Sequence, residues 1–289
     1  KLGTITDPLA ATEMTMSARP AYFDRYKTIC FDRTASGILT IRLHSNGGPV
    51  VYASAHHHDW VHAFFDISAD RDNKVLIITG TGDEFCAHER WDLPTDRVVH
   101  WDGIYWEGKR LLQNLLDIEV PVIGAINGPA HVHAEIALLS DITLAAEHAS
   151  FQDRPHVPGY MVPGDGVQIV WQELLGPNRG KYFLLTGQIL TAQEALALGV
   201  VNEVLPREQL MPRAMEHARK LLALPEEVKR RYFSCTDAVE RGRTGLDDLA
   251  DLQVLVVEDN AINQQLAVEL LESRRVKVDV ANNGQEAIE

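Results

Sequence analysis

The amino-acid sequence predicts an α/β fold, on three observations. Short apolar runs closed by turn residues recur through the first half of the chain, and amphipathic helical segments separate them. Hydrophobic residues make up 45% of the 289 positions, enough to bury a sizeable core. Strands alternating with helices at this spacing pair in parallel through crossover connections.

Each element follows from its local pattern. Residues 1–25 mix Thr, Ala, Pro and Met without period and read as an N-terminal arm. Residues 37–44 (GILTIRLH) alternate apolar and polar, as a half-buried strand does, and residues 74–80 (KVLIITG) form a strand ending at a glycine turn. A helix is expected at 57–67 between them, and a second amphipathic one at 101–116. Residues 120–127 (VPVIGAIN) read as a buried strand closed by Asn-Gly, 134–139 as a helix and 141–146 as another strand. From Gly166 to about Arg231 the periodicity is helical, with Thr191 as N-cap and Gly199 as stop of TAQEALALG. A polar, glycine-containing stretch at 241–251 (RGRTGLDDLAD) suits a linker. Beyond it QVLVVEDN (253–260), a helical segment (261–273) and a strand (276–281) open a second, doubly wound sheet.

Composition excludes several functions. A net charge of −14 with no Lys/Arg stripe argues against nucleic acid and against an anionic membrane surface. Cys30, Cys86 and Cys235 are odd in number and widely spaced, which suggests neither disulfides nor a zinc knuckle and fits a reducing cytoplasm. No apolar run reaches the roughly 20 residues of a membrane span, and no secretory leader is visible.

Three phrases carry the chemistry: EFCAHERWDL (84–93), the long run from INGPAHVHAEI to HASF (126–151), and RPHVPGYMVPGDG (154–166). Together they resemble the crotonase (enoyl-CoA hydratase/isomerase) superfamily over about residues 29–232. The resemblance implies a spiral of ββα units with a helical C-terminal region, in which the N–H groups of Ala87 and Val132 form an oxyanion hole. Such preorganised donors are worth about 3 kcal/mol each on a developing enolate. The chain departs from acyl-CoA hydratases, however. His131-Val132-His133 stands where they carry glycines, and His156 replaces one catalytic glutamate, so Glu135 remains without its partner.

These substitutions are similar to those of the β-diketone hydrolases of the 6-oxocamphor hydrolase type. That likeness implies His156 as general base, Asp165 as the group that orients it, and His133 as the residue on a substrate carbonyl. It also implies Tyr52, in place of a tryptophan, and His57 beside the substrate. Asp165 has a second reading as the N-cap of the next helix, and Glu135 reads as a supporting acid. His56, His57 and His58 are adjacent, so on a helix they point apart and no metal is expected in this domain.

The implied reaction is retro-Claisen cleavage of a carbon–carbon bond in a β-diketone, without cofactor, by a homotrimer or hexamer. Alternatives on the same residues are an acyl-CoA hydratase, isomerase or thioesterase, and a non-catalytic ligand sensor. The last 38 residues (252–289) resemble the start of a receiver domain, in which Glu258 and Asp259 help bind Mg²⁺ once the domain is complete, and the natural protein is expected to be longer. The expected organisation is therefore an arm at 1–25, a hydrolase domain at 26–240, a linker at 241–251 and a receiver fragment at 252–289.

Overall fold

The computed structural model describes residues 19–90, 97–159 and 166–224, together with 253–257, 264, 268, 277–281 and 286 of the tail. The chain divides into two compact units, Lys1–Lys229 and Arg230–Glu289. The expected linker at 241–251 lies outside the described residues.

In the first unit the strands are β1 (Ile29–Arg33), β2 (Ile38–Leu43), β3 (Val51–Tyr52), β4 (Val75–Thr79), β5 (His88–Glu89), β6 (Val122–Ile126), β7 (Ile142–Ala146), β8 (Ser150–Phe151), β9 (Leu190–Thr191) and β10 (Glu203–Leu205). The helices are α1 (Ser54–Ala69), α2 (Arg97–Leu116), α3 (Glu135–Leu138), α4 (Val167–Leu175), α5 (Pro177–Thr186), α6 (Ala192–Ala197) and α7 (Arg207–Leu222). Six strands form one sheet in the order β1-β2-β4-β6-β7-β10. Only β1 against β2 is antiparallel; the other four pairings are parallel.

A sheet of this kind is covered on both faces, which is why β4 (VLIIT) and β6 (VIGAI) have no exposed residue. Ile38, Val75, Ile77, Ile123, Ala125 and Leu144 pack on one face against Leu210, Ala214 and Ala218, which stand one turn apart along α7. Leu76, Ile78 and Ile126 project from the other face into the larger core with Trp60, Phe64 and Leu111, where α1 lies against α2. Thr191 caps α6 as expected, through a reciprocal bond pair with Glu194, and Gly199 adopts φ +76° after the helix. The N-terminal segment packs earlier than its composition suggests. Tyr22 and Phe23 are buried against Phe31, and Tyr22 donates to Asp70 at 2.9 Å, so the segment from Pro20 onward is part of the fold.

In the second unit β11 (Gln253–Val257) pairs in parallel with β12 (Lys277–Ala281), and Gln264 and Val268 between them are helical. A parallel pair requires a crossover of this kind. Glu258 and Asp259 lie outside the described residues. Among the described residues no helix is long and apolar enough to cross a membrane.

Where β4 and β6 end, their following loops approach unusually closely. A Cβ on Gly128 would lie 1.8 Å from the Asp83 carbonyl oxygen, and one on Gly80 would lie 2.5 Å from that of Glu84. Only glycine fits at either position. Between them the buried Asn127 accepts the Gly80 N–H at 2.9 Å and donates to the carbonyls of Gly82 at 2.9 Å and Glu84 at 2.7 Å. Asn127→Ala leaves all three groups without that partner, at about 1–3 kcal/mol for each one that stays buried. We expect urea denaturation to show a loss of about 3 kcal/mol or more; a loss below about 1 kcal/mol would mean that water or relaxation replaces the amide.

Candidate active site

The loops that Asn127 ties together continue as a short ladder. Phe85 and Cys86 donate their N–H groups to the Pro129 carbonyl, both at 3.1 Å, and His131 returns a bond to Cys86 at 2.8 Å. Ala130 donates to Ser150 at 2.8 Å, Gln152 to Ala130 at 3.3 Å and Arg154 to His131 at 3.0 Å. Three stretches, at 85–87, 129–132 and 150–154, thus lie side by side with parallel bridges Cys86↔Ala130 and Ala130↔Phe151. They bear Ala87, Val132 and, just beyond their ends, His133 and His156.

Tyr52, His57 and His133 come together. The Tyr52 ring is 4.5 Å from that of His133 and 6.2 Å from that of His57, and the two imidazoles are 6.1 Å apart. Tyr52 is fully buried, with Trp60 behind it at 5.1 Å. His56 also lies against Tyr52, ring centroids 5.8 Å apart, with its Nε2 bonded to Ser45 Oγ at 2.8 Å, and burial holds its pKa below the ordinary histidine range. His58 is exposed.

Each of the three site histidines has Nδ1 on a carboxylate. His133 meets Glu135 Oε1 at 2.6 Å, His57 meets Glu107 Oε2 at 2.8 Å, and His156 meets Asp153 Oδ1 at 2.7 Å. A carboxylate there fixes the ring orientation and places the proton on Nδ1. Burial pushes the Glu107 carboxyl up, but bonds from His57 and His58 outweigh it and leave Glu107 below the usual range. Asp153 is buried, and its second oxygen has no hydrogen-bond partner among the described residues.

His133 sits at φ +51°, left-handed backbone that a bulky side chain seldom adopts. Strain of this kind persists where the surrounding structure enforces it, and here the bonds of His131 and Val132 to Cys86 fix the preceding turn. His131 is a packing residue, its Nε2 on Ser150 Oγ at 2.8 Å; burial and then the Arg154 charge hold its pKa down.

Of the two N–H groups expected in the oxyanion hole, that of Val132 donates to the Cys86 carbonyl at 3.0 Å in this structure. The carbonyl of buried Ala87 accepts Arg154 Nη1 at 3.2 Å. Asp165, expected to orient His156, lies outside the described residues; Asp153, one turn before the histidine, holds its Nδ1. The Asp-x-x-His spacing in FQDRPH was the available signal for that pair. Glu107 had none, since it reaches His57 from 50 residues away on α2.

A model of the enoyl-CoA hydratase/isomerase family matches residues 33–245. A β-diketone hydrolase from the cyanobacterium Anabaena sp. PCC 7120, solved bound to (S)-3-oxocyclohexyl acetic acid, is 45% identical, with a TM-score of 0.71 over 80% of this chain and 92% of its own. An enoyl-CoA hydratase from Mycobacterium tuberculosis H37Rv is 27% identical, with a TM-score of 0.60 over 75% of this chain and 92% of its own. Carnitinyl-CoA dehydratase of Salmonella arizonae is 36% identical over 163 residues, 55% of this chain; the chain spans 62% of that relative's length.

The strained backbone at His133 predicts an order of stabilities. His133→Gly and His133→Ala both remove the imidazole and leave Glu135 unpaired, but only glycine relieves the positive φ. His133→Gly should be the more stable variant by about 1 kcal/mol in urea denaturation. The reverse order would show that the turn is not strained.

Proposed function

The chain belongs to the enoyl-CoA hydratase/isomerase family, and within it we propose a hydrolase that cleaves a carbon–carbon bond of β-diketones. The observation that carries this reading is the pairing of His156 with buried Asp153 and of His133 with buried Glu135. Likeness to the cyanobacterial β-diketone hydrolase supports it.

Retro-Claisen hydrolysis begins when water attacks one of the two carbonyls. His156 Nε2 takes the water proton while Asp153, and Asp165 if it closes on the ring, stabilises the imidazolium. The carbon–carbon bond then breaks, and its electron pair moves into the second carbonyl as an enolate. Because that carbonyl is the electron sink, the chemistry asks for no cofactor. His133, Tyr52 and the Ala87 N–H hold the enolate oxygen; His57 borders the substrate. The imidazolium of His156 returns the proton to the enolate carbon, so the net change is addition of water across the broken bond, giving a keto acid.

Hydration of an acyl-CoA is the second reading, favoured by retention of Glu135. Its carboxylate is engaged by His133 Nδ1 at 2.6 Å, which favours a supporting role over acid catalysis. In the tail, the parallel pair β11–β12 supports the reading as the opening of a receiver domain. A homotrimer or hexamer is the assembly we propose.

The test is hydrolysis of a cyclic 1,3-diketone, followed as loss of its ultraviolet absorbance, with crotonyl-CoA as control. His156→Ala should lower kcat by on the order of 100-fold or more, the scale of general-base removal. Asp153→Asn and Asp165→Asn, compared side by side, identify which carboxylate the base depends on. Turnover of crotonyl-CoA with none of the diketone would overturn the reading, and saturable diketone binding without turnover would make the site a sensor.

A further inference from the structure

Outside the pocket, α1 carries a second group of donors. His58 and His62 stand one helical turn apart with ring centroids 4.5 Å from each other, and Glu107 reaches them from α2. One donor atom from each of the three lies within 4.8 Å of the others. His58 Nδ1 is already 2.9 Å from Glu107 Oε1, while the other oxygen of that carboxylate holds His57 Nδ1 at 2.8 Å.

We propose that His58, His62 and Glu107 bind a zinc-type divalent ion, and that the ion acts on the pocket through the carboxylate shared with His57. Two imidazoles at i and i+4 with one carboxylate suit such an ion, with its fourth position open to water. Zinc bonds of about 2.0–2.2 Å place tetrahedral donors a little over 3 Å apart. The present spacing is within 4.8 Å, and His58 is 62% exposed, so its side chain has room to turn. The ion replaces the proton on His58 Nδ1. It also draws charge from Glu107, so the acceptor that orients His57 weakens when the ion binds.

This site is distinct from the run His56-His57-His58, whose side chains diverge around the helix. It does not rest on the diketone reading, because the coupling is read on His57 itself. The experiment is calorimetric titration of Zn²⁺ into the full chain at neutral pH, in a Cys30→Ser background that removes an exposed thiol able to bind zinc alone. We expect one site, weakened by more than about 100-fold in His58→Ala/His62→Ala, since loss of even an outer partner costs 10–100-fold. In parallel, zinc should move the His57 imidazole Cε1–H resonance, identified by its disappearance in His57→Gln, and should leave it unmoved in the double variant. Absence of saturable binding, or equal binding by the double variant, overturns the site. Binding that leaves the His57 resonance in place overturns the coupling.

Discussion

The amide of Asn127 is the interaction on which the site depends. Parallel strands leave their loops at the same edge of the sheet, and β4 and β6 are neighbours, so their following loops must be held together without a ladder of their own. Asn127 supplies one acceptor and two donors at that junction, and Gly80 and Gly128 remove the side chains that would keep the loops apart. From there Cys86, Ala130 and Phe151 continue the pairing in register. An error of half an ångström at Asn127 would be passed along that ladder to Ala87, His133 and His156. Buried amides are costly unless fully bonded, which is why such a junction also favours one arrangement over its neighbours.

With the loops fixed, the chemistry is set by which nitrogen of each histidine carries the proton. Nδ1 of His156 faces Asp153, so Nε2 presents a lone pair, the requirement of a base. His133 faces Glu135 in the same sense, yet to hold a carbonyl oxygen its Nε2 must donate, which requires the imidazolium. On the proposed reading the same His–carboxylate pairing serves a base at His156 and a donor at His133, divided by protonation state. Tyr52, 4.5 Å from His133, offers a neutral O–H to the same region.

Much of the sheet was legible because period-two and all-apolar runs report burial directly. GILTIRLH became β2 at Ile38–Leu43 and KVLIITG became β4 at Val75–Thr79, each trimmed by one residue at both ends. Thr191 was legible because a capping box is a local code. Residues 19–25 were not, since Tyr22 and Phe23 are buried by partners outside the segment, Phe31 and Asp70. At the site, His57, His133 and Tyr52 were drawn from the resemblance, and periodicity alone offered no reason to group them. Asp153 stands just before RPHVPGYMVPGDG, and only its Asp-x-x-His spacing to His156 marks it, whereas the resemblance points to Asp165 nine residues after the histidine. The engagement of the Val132 N–H depends on the orientation of one peptide plane, which side-chain identity does not encode.

The run His56-His57-His58 illustrates how helix geometry divides identical side chains. Successive residues are about 100° apart around the axis, so the three imidazoles meet three environments. His56 bonds Ser45 on one side of Tyr52, His57 lies between Tyr52 and His133, and His58 faces solvent next to His62. Helix α2 reaches two of these faces through Glu107, whose two oxygens bond His57 and His58 separately. Both bonds act to lower the Glu107 pKa, so anything that takes one oxygen changes what the other can hold. A single carboxylate on α2 thereby joins His57 beside Tyr52 to His58 on the exposed face of α1, which is the link the proposed ion site uses.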